Sequence, residues 1–149
     1  MSRRKKIIGI FGVYCALMMF LLFFRQRPGE GTYWQRVMGL LNPVPFETIT
    51  RYIRLLGHSR ARIARNAAVN LAGNVILFMP LGGFLPALFP KLNRWWKVLL
   101  TGAGIIAVVE LTQMFTLLGT CDVDDLILNV LGIWLGVAVF WLLKNRRTS

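Results

Sequence analysis

Acidic and amide side chains lie inside stretches of this sequence that are otherwise apolar, where they could bind a ligand or transfer protons. Glu110 lies in the apolar run of residues 98–118, eight residues before its end, which corresponds to a depth of roughly 12 Å in a helix. An ionised, unpaired carboxylate is strongly destabilised in hydrocarbon, so Glu110 must be protonated, paired or in contact with water. Gln113 lies one turn further on, on the same face.

Polar residues also begin the next apolar run. At 100° per residue, Asp122, Asp125 and Asn129 fall within an arc of about 60° of a helix, and Asp124 points away from them. Gly132 and Gly136 continue this face as a G-x-x-x-G spacing, which lets another helix approach closely. The polar face is therefore predicted to contact a helix instead of lipid, and the two glycines are a candidate surface for a homo-oligomer.

The last two apolar runs are expected to fold antiparallel about the junction at residues 119–121. Glu110 and Asn129 then reach nearly equal depth, and Gln113 comes level with Asp125, because the members of each pair are similarly far from the junction. These two helices are thus predicted to share one polar interface.

A third apolar run contributes two amides to the same level. Asn70 and Asn74 are spaced i, i+4 and share one side of a helix, and Asn74 lies roughly 10 Å from the start of that run. The predicted pocket takes seven residues from three helices: Asn70, Asn74, Glu110, Gln113, Asp122, Asp125 and Asn129.

The polar residues of such a pocket could have a structural, a binding or a catalytic role. Amides between transmembrane helices often serve only as structural hydrogen bonds, whereas carboxylates are costly there and favour a binding or catalytic site. Glu110 and Asp125 could act as acid and base, but no serine lies inside an apolar run and no nucleophile is specified, so catalytic residues stay unknown. No metal-binding or cofactor-binding spacing is present, and neither a metal nor a cofactor is expected.

The composition indicates a membrane protein. Of the 149 residues 56% are hydrophobic and 16% charged, and the net charge of +12 comes from cations that lie between the apolar runs. This excludes an ordinary soluble domain and argues against a nucleic-acid-binding role. The sequence predicts one all-α domain over residues 1–149, a bundle of four transmembrane helices at about 7–24, 67–89, 98–118 and 123–143.

A basic segment separates the first two helices. It holds eight arginines within residues 25–65, and its part at about 45–65 is predicted to be amphipathic and to lie at the membrane interface, with its apolar face formed by Phe46, Ile49, Ile53 and Leu56. The arginines either snorkel to lipid phosphates or form an anion-binding rim. The clusters of cations flanking the helix ends favour cytoplasmic termini, with this segment and the aspartates outside.

The sequence resembles the VanZ family of bacterial membrane proteins, named for a teicoplanin-resistance protein. The resemblance rests on three blocks: Asn42-Pro43-Val44-Pro45-Phe46-Glu47-Thr48-Ile49; Asn70-x-x-x-Asn74-x-x-x-Phe78-x-Pro80-x-Gly82; and Glu110-x-x-Gln113 with Asp122-x-Asp124-Asp125-x-x-x-Asn129-x-x-Gly132. Many members carry an arginine before the aspartates, where this chain has Gly119-Thr120-Cys121.

The resemblance implies a multi-pass protein of the bacterial cytoplasmic membrane with a role in glycopeptide resistance. The expected partners are membrane lipids and either a lipid-linked cell-wall precursor or a glycopeptide antibiotic bound in the polar pocket. The alternatives are an intramembrane enzyme acting on a lipid-linked substrate and a small oligomeric transporter.

Overall fold

Long apolar helices dominate the chain, as expected for a protein whose backbone groups must be satisfied without water. The structure, a computed structural model, describes residues 2–23 and 30–146. Within these residues four helices are long and apolar enough to cross a membrane: α1 (Arg3–Phe23), α4 (Ala61–Leu88), α5 (Trp95–Phe115) and α6 (Val123–Asn145). The predicted all-α bundle of four transmembrane helices is confirmed. The predicted end of the first helix at residue 24 lies outside the described residues.

The connection between α1 and α4 contains two short helices, α2 (Tyr33–Gly39) and α3 (Glu47–Leu56), and the short strand β1 (Leu41–Asn42). Helix α3 lies within the predicted amphipathic segment, with Ile53 and Leu56 exposed. The prediction differs at both ends. Phe46 precedes the helix in a left-handed conformation with φ of 65°, and the basic residues from Ala61 onward already belong to α4.

A two-residue parallel pairing joins segments far apart in sequence. Strand β1 pairs with β2 (Cys121–Asp122), which lies between α5 and α6, and the Cys121 N–H donates to the carbonyl oxygen of Leu40 over 2.9 Å. The segment after α1 and the junction before α6 therefore lie at the same end of the bundle, as the sequence predicted.

Helices α4 and α6 form the closest contact of the bundle. A Cβ atom added at Gly132 would overlap the carbonyl oxygen of Val75, one at Gly136 would overlap that of Met79, and Gly82 lies equally close to the α6 backbone at Ile133. The predicted close approach at G-x-x-x-G therefore occurs within the chain. Because α4 packs against this face within the chain, the homo-oligomer stays a prediction.

Helix α1 lies at the periphery. Most of its side chains are exposed, and its Tyr14 hydroxyl donates to the carbonyl oxygen of Leu77 over 2.8 Å. The rings of Phe11 and Tyr14 also pack against Phe84 of α4, with centroids 5.3 and 5.5 Å away.

Candidate functional site

One cavity of about 500 Å³ lies at the end of the bundle that carries the β1–β2 pairing. All seven residues of the predicted pocket line it: Asn70, Asn74, Glu110, Gln113, Asp122, Asp125 and Asn129. One wall is apolar, formed by Leu21, Leu22, Val69, Ile76 and Leu77. The cavity is thus amphipathic, because acids and amides share its lining with apolar side chains. That these residues bind a ligand stays a prediction.

Helices α4 and α6 meet in the cavity through an amide–carboxyl pair. The Asn74 Nδ2 donates to Asp125 Oδ1 over 2.5 Å, which fixes both side chains. The Asn70 Nδ2 instead donates to the Asn66 carbonyl oxygen of its own helix over 2.7 Å. Asn70 therefore contributes to the wall of the cavity while its amide hydrogen bond stays within α4.

Glu110 is 7% exposed, and its Oε2 accepts a hydrogen bond of 3.5 Å from the backbone N–H of Asp122. This contact joins the carboxyl of α5 to the start of α6, as the antiparallel arrangement requires. The Gln113 side chain behaves differently. Its Nε2 donates to the carbonyl oxygen of Leu22, at the end of α1, over 2.6 Å, so the visible role of its amide is to hold α1 against the cavity.

The Asp122 carboxylate accepts hydrogen bonds from several groups of the protein. Its Oδ2 accepts from Asn42 Nδ2 over 3.2 Å and from the Thr48 hydroxyl over 2.7 Å, while its Oδ1 accepts from the backbone N–H of Asp124. Both carboxylate oxygens are thus engaged, and Asp122 caps α6. Its evident function is to hold α3 and β1 against α6.

Asp124 is an important residue that the sequence analysis missed. It points away from the other polar residues, as predicted, but it is fully buried because it faces α3. Its two carboxylate oxygens accept from the backbone N–H groups of Phe46, over 2.5 Å, and Ile49, over 2.9 Å. An acidic residue in the first turn of a helix is common because of the helix dipole alone. The presence of an aspartate at position 124 therefore did not indicate that it also binds the start of α3.

The amide of Asn129 has an unusual environment. The side chain is 3% exposed and lines the cavity, and Asn129 Oδ1 is the buried side-chain oxygen or nitrogen without a hydrogen-bond partner among the residues that the structure describes. Buried polar atoms of this kind are rare and usually accept a hydrogen bond from water or a ligand. Asn129 therefore brings an unsatisfied acceptor to a side chain that lines the cavity.

Helix α3 adds three residues that sequence reasoning did not include. Thr48, Arg51 and Tyr52 all line the cavity, and their i, i+3, i+4 spacing on one helical face was the signal that could have found them. The Arg51 guanidinium lies 5.6 Å from the centre of the Tyr52 ring and 3.4 Å from the Thr48 hydroxyl. Arg51 is solvent-exposed, so it places a positive charge on the outer part of the cavity.

Titratable groups around the cavity could bind an anion, a cation or a proton, but their arrangement does not suit all three equally. In residues 2–23 and 30–146 no three His, Cys, Asp or Glu side chains come together as a metal site would require. Glu110 and Asp125 face one cavity and could exchange protons with a bound group. Among the described lining residues, amide oxygens, hydroxyls and the guanidinium of Arg51 could form hydrogen bonds with a polar group in the cavity.

The thiol of Cys121 reports on these acids. Burial raises its pKa, and the nearby Glu110 and Asp122 carboxyls raise it further. We expect maleimide labelling of Cys121, in a Cys15→Ala background, to be slower at neutral pH than labelling of a free cysteine, because less thiolate is present. The rate is expected to keep rising above pH 9, and Glu110→Gln is expected to accelerate it at pH 9.5. An unchanged rate in that variant would contradict the electrostatic coupling.

Comparison with known proteins identifies the family of the chain. A model of the VanZ/LLP1 family matches residues 11–144, nearly the whole chain. No curated protein and no solved structure gives a significant match. The matched range includes every residue that lines the cavity, all of α4 and α5, α1 from residue 11 onward and α6 up to residue 144. The chain belongs to the VanZ/LLP1 family.

Proposed function

We propose that this membrane protein binds the headgroup of a lipid-linked component of the bacterial cell surface, and that this binding contributes to resistance against teicoplanin-type glycopeptides. The observation that carries the proposal is the amphipathic cavity, in which buried acids and amides face an apolar wall. A lipid matches this arrangement because its headgroup is polar and its chain is apolar. The cavity volume of about 500 Å³ lies in the range of small-molecule sites.

The location of the cavity supports a ligand at the outer surface. Because the chain has four candidate spans, both termini lie at one end of the bundle, and the cavity with the β1–β2 pairing lies at the other. We infer that the termini are cytoplasmic, since their flanks carry compact clusters of cations. The cavity then opens toward the outer leaflet of the cytoplasmic membrane, where wall precursors and glycopeptides are found.

An antibiotic-susceptibility assay tests the proposal. Cells producing the wild-type protein are expected to survive a higher teicoplanin concentration than cells with an empty vector. Glu110→Gln and Asp125→Asn keep side-chain size but replace a carboxyl group of the cavity with an amide, and each is expected to abolish most of that protection.

The matched control is Glu47→Gln, which removes one carboxylate from an exposed site at the start of α3. It is expected to protect as well as wild type. Membrane levels of all variants are measured by immunoblot. Full protection by both cavity variants at normal abundance would show that the cavity is not the functional site.

A second candidate is an intramembrane enzyme, favoured by the presence of Glu110 and Asp125 in one cavity. Purified protein would then convert a lipid-linked substrate, and Glu110→Gln would abolish turnover while retaining binding. Binding without turnover supports the first proposal.

A further inference from the structure

The hydrogen-bond donors of the cavity amides are largely directed at the protein itself. The side-chain N–H groups of Asn70, Asn74 and Gln113 donate to Asn66, Asp125 and Leu22, respectively. The buried oxygen of Asn129, in contrast, has no partner. The inner part of the cavity is therefore rich in acceptors, and the group that fits it must donate hydrogen bonds.

The ionisable side chains of the cavity support the same conclusion. Glu110 is buried in the lining and Asp125 is partly buried beside it. Among the described lining residues the one cation is Arg51, which is exposed on α3. The cavity thus has two carboxyl groups inside and a guanidinium at its outer part, which complements a headgroup with an ammonium at its tip and a phosphate behind it.

We propose that the cavity recognises a primary ammonium group on a phosphate-containing membrane lipid, with the ammonium at Asn129 Oδ1 and the Glu110 and Asp125 carboxyls and the phosphate near Arg51. This inference rests on the proposed lipid-binding function and specifies the chemistry of the ligand. A primary ammonium has three N–H donors and one positive charge, so it satisfies the orphaned amide oxygen and compensates the acids in one contact. The lipid chain lies against the apolar wall.

Three lipids distinguish recognition of the positive charge of the headgroup nitrogen from recognition of its N–H donors. Phosphatidylethanolamine carries a primary ammonium, N-acetyl-phosphatidylethanolamine is neutral at that nitrogen, and phosphatidylcholine keeps the positive charge without N–H donors. Binding of each lipid to the purified full-length protein is measured in detergent by native mass spectrometry. We expect phosphatidylethanolamine to bind about tenfold more tightly than either of the other two. Equal binding of all three lipids would overturn the proposal, because it would mean that the nitrogen is not recognised.

Variants locate the binding group. Asn129→Ala and Glu110→Gln are each expected to weaken phosphatidylethanolamine binding about tenfold and to leave N-acetyl-phosphatidylethanolamine binding unchanged. Glu47→Gln, outside the cavity, is the matched control. Because Asn129 lies near the α4–α6 contact, circular dichroism of each variant checks folding, and Glu110→Gln decides the question if Asn129→Ala does not fold. Retention of the ammonium preference in Glu110→Gln would overturn the proposal.

Failure of this inference is distinguishable from failure of the proposed function. A protein that protects cells through its cavity but binds the three lipids equally has the proposed function with a different ligand chemistry. A protein that prefers phosphatidylethanolamine, but whose cavity variants protect cells fully, has the ammonium site without the resistance role.

Discussion

Replacing Asp124 with alanine is expected to lower the free energy of unfolding by about 3 kcal/mol, since two backbone N–H groups would lose their charged acceptor. The carboxylate is fully buried and accepts from Phe46 and Ile49 at the start of α3. Without it, the hydrogen bond from Thr48 to Asp122 is left to hold α3 against the start of α6. The measurement is equilibrium unfolding in mixed micelles of dodecyl sulfate and a mild detergent, followed by circular dichroism.

Two further variants isolate this effect. Asp124→Asn keeps one acceptor oxygen and is expected to lose roughly half as much stability. Glu47→Ala removes an exposed carboxylate from the first turn of α3 and is expected to cost less than about 1 kcal/mol. An Asp124→Ala protein that unfolds at the wild-type dodecyl sulfate fraction would refute this structural role.

Substituting Gly82 or Gly136 with alanine is expected to destabilise the protein by about 3 kcal/mol or to prevent folding, because a Cβ at either position would overlap backbone atoms of the facing helix. Backbone atoms cannot rotate away as a side chain can, so α4 and α6 would have to separate along their shared surface. The same unfolding assay and the yield of folded protein from membranes measure the loss.

Gly83 is the control for this prediction, since it is the sequence neighbour of Gly82 and a Cβ there would have nothing within 4 Å. Gly83→Ala is expected to leave stability unchanged or to raise it by up to about 1 kcal/mol, because alanine favours a helix more than glycine. If Gly82→Ala and Gly83→Ala unfold alike, close backbone packing does not hold the two helices together.

The membrane helices and the level of the polar residues could be predicted because two constants govern them. Bilayer thickness sets the length of a span, and the rise of 1.5 Å per residue sets the depth of each side chain. For that reason the sequence brought Glu110, Asn74 and Asn129 to one level, and all three line one cavity. The G-x-x-x-G spacing likewise predicted a tight contact, although not that α4 would form it.

The parts that escaped prediction depend on how irregular segments dock. Arg51 was interpreted as one of several interfacial arginines, because its contact with the cavity depends on where α3 lies. Gln113 was assigned to the level of Asp125, yet its amide binds the end of α1. Nothing in helical periodicity specifies the rotation of α1 or the path of a connecting segment, so the partners of Asp124 and Gln113 are tertiary information.

The pairing of β1 with β2 has a consequence for biosynthesis. The two strands lie 80 residues apart in register, and the second emerges from the ribosome only after α5. Until then the segment that carries α3 has no acceptor for the N–H groups of Phe46 and Ile49. We therefore expect the cavity to be the last part of the molecule to assemble, after the translocon has released the final helix.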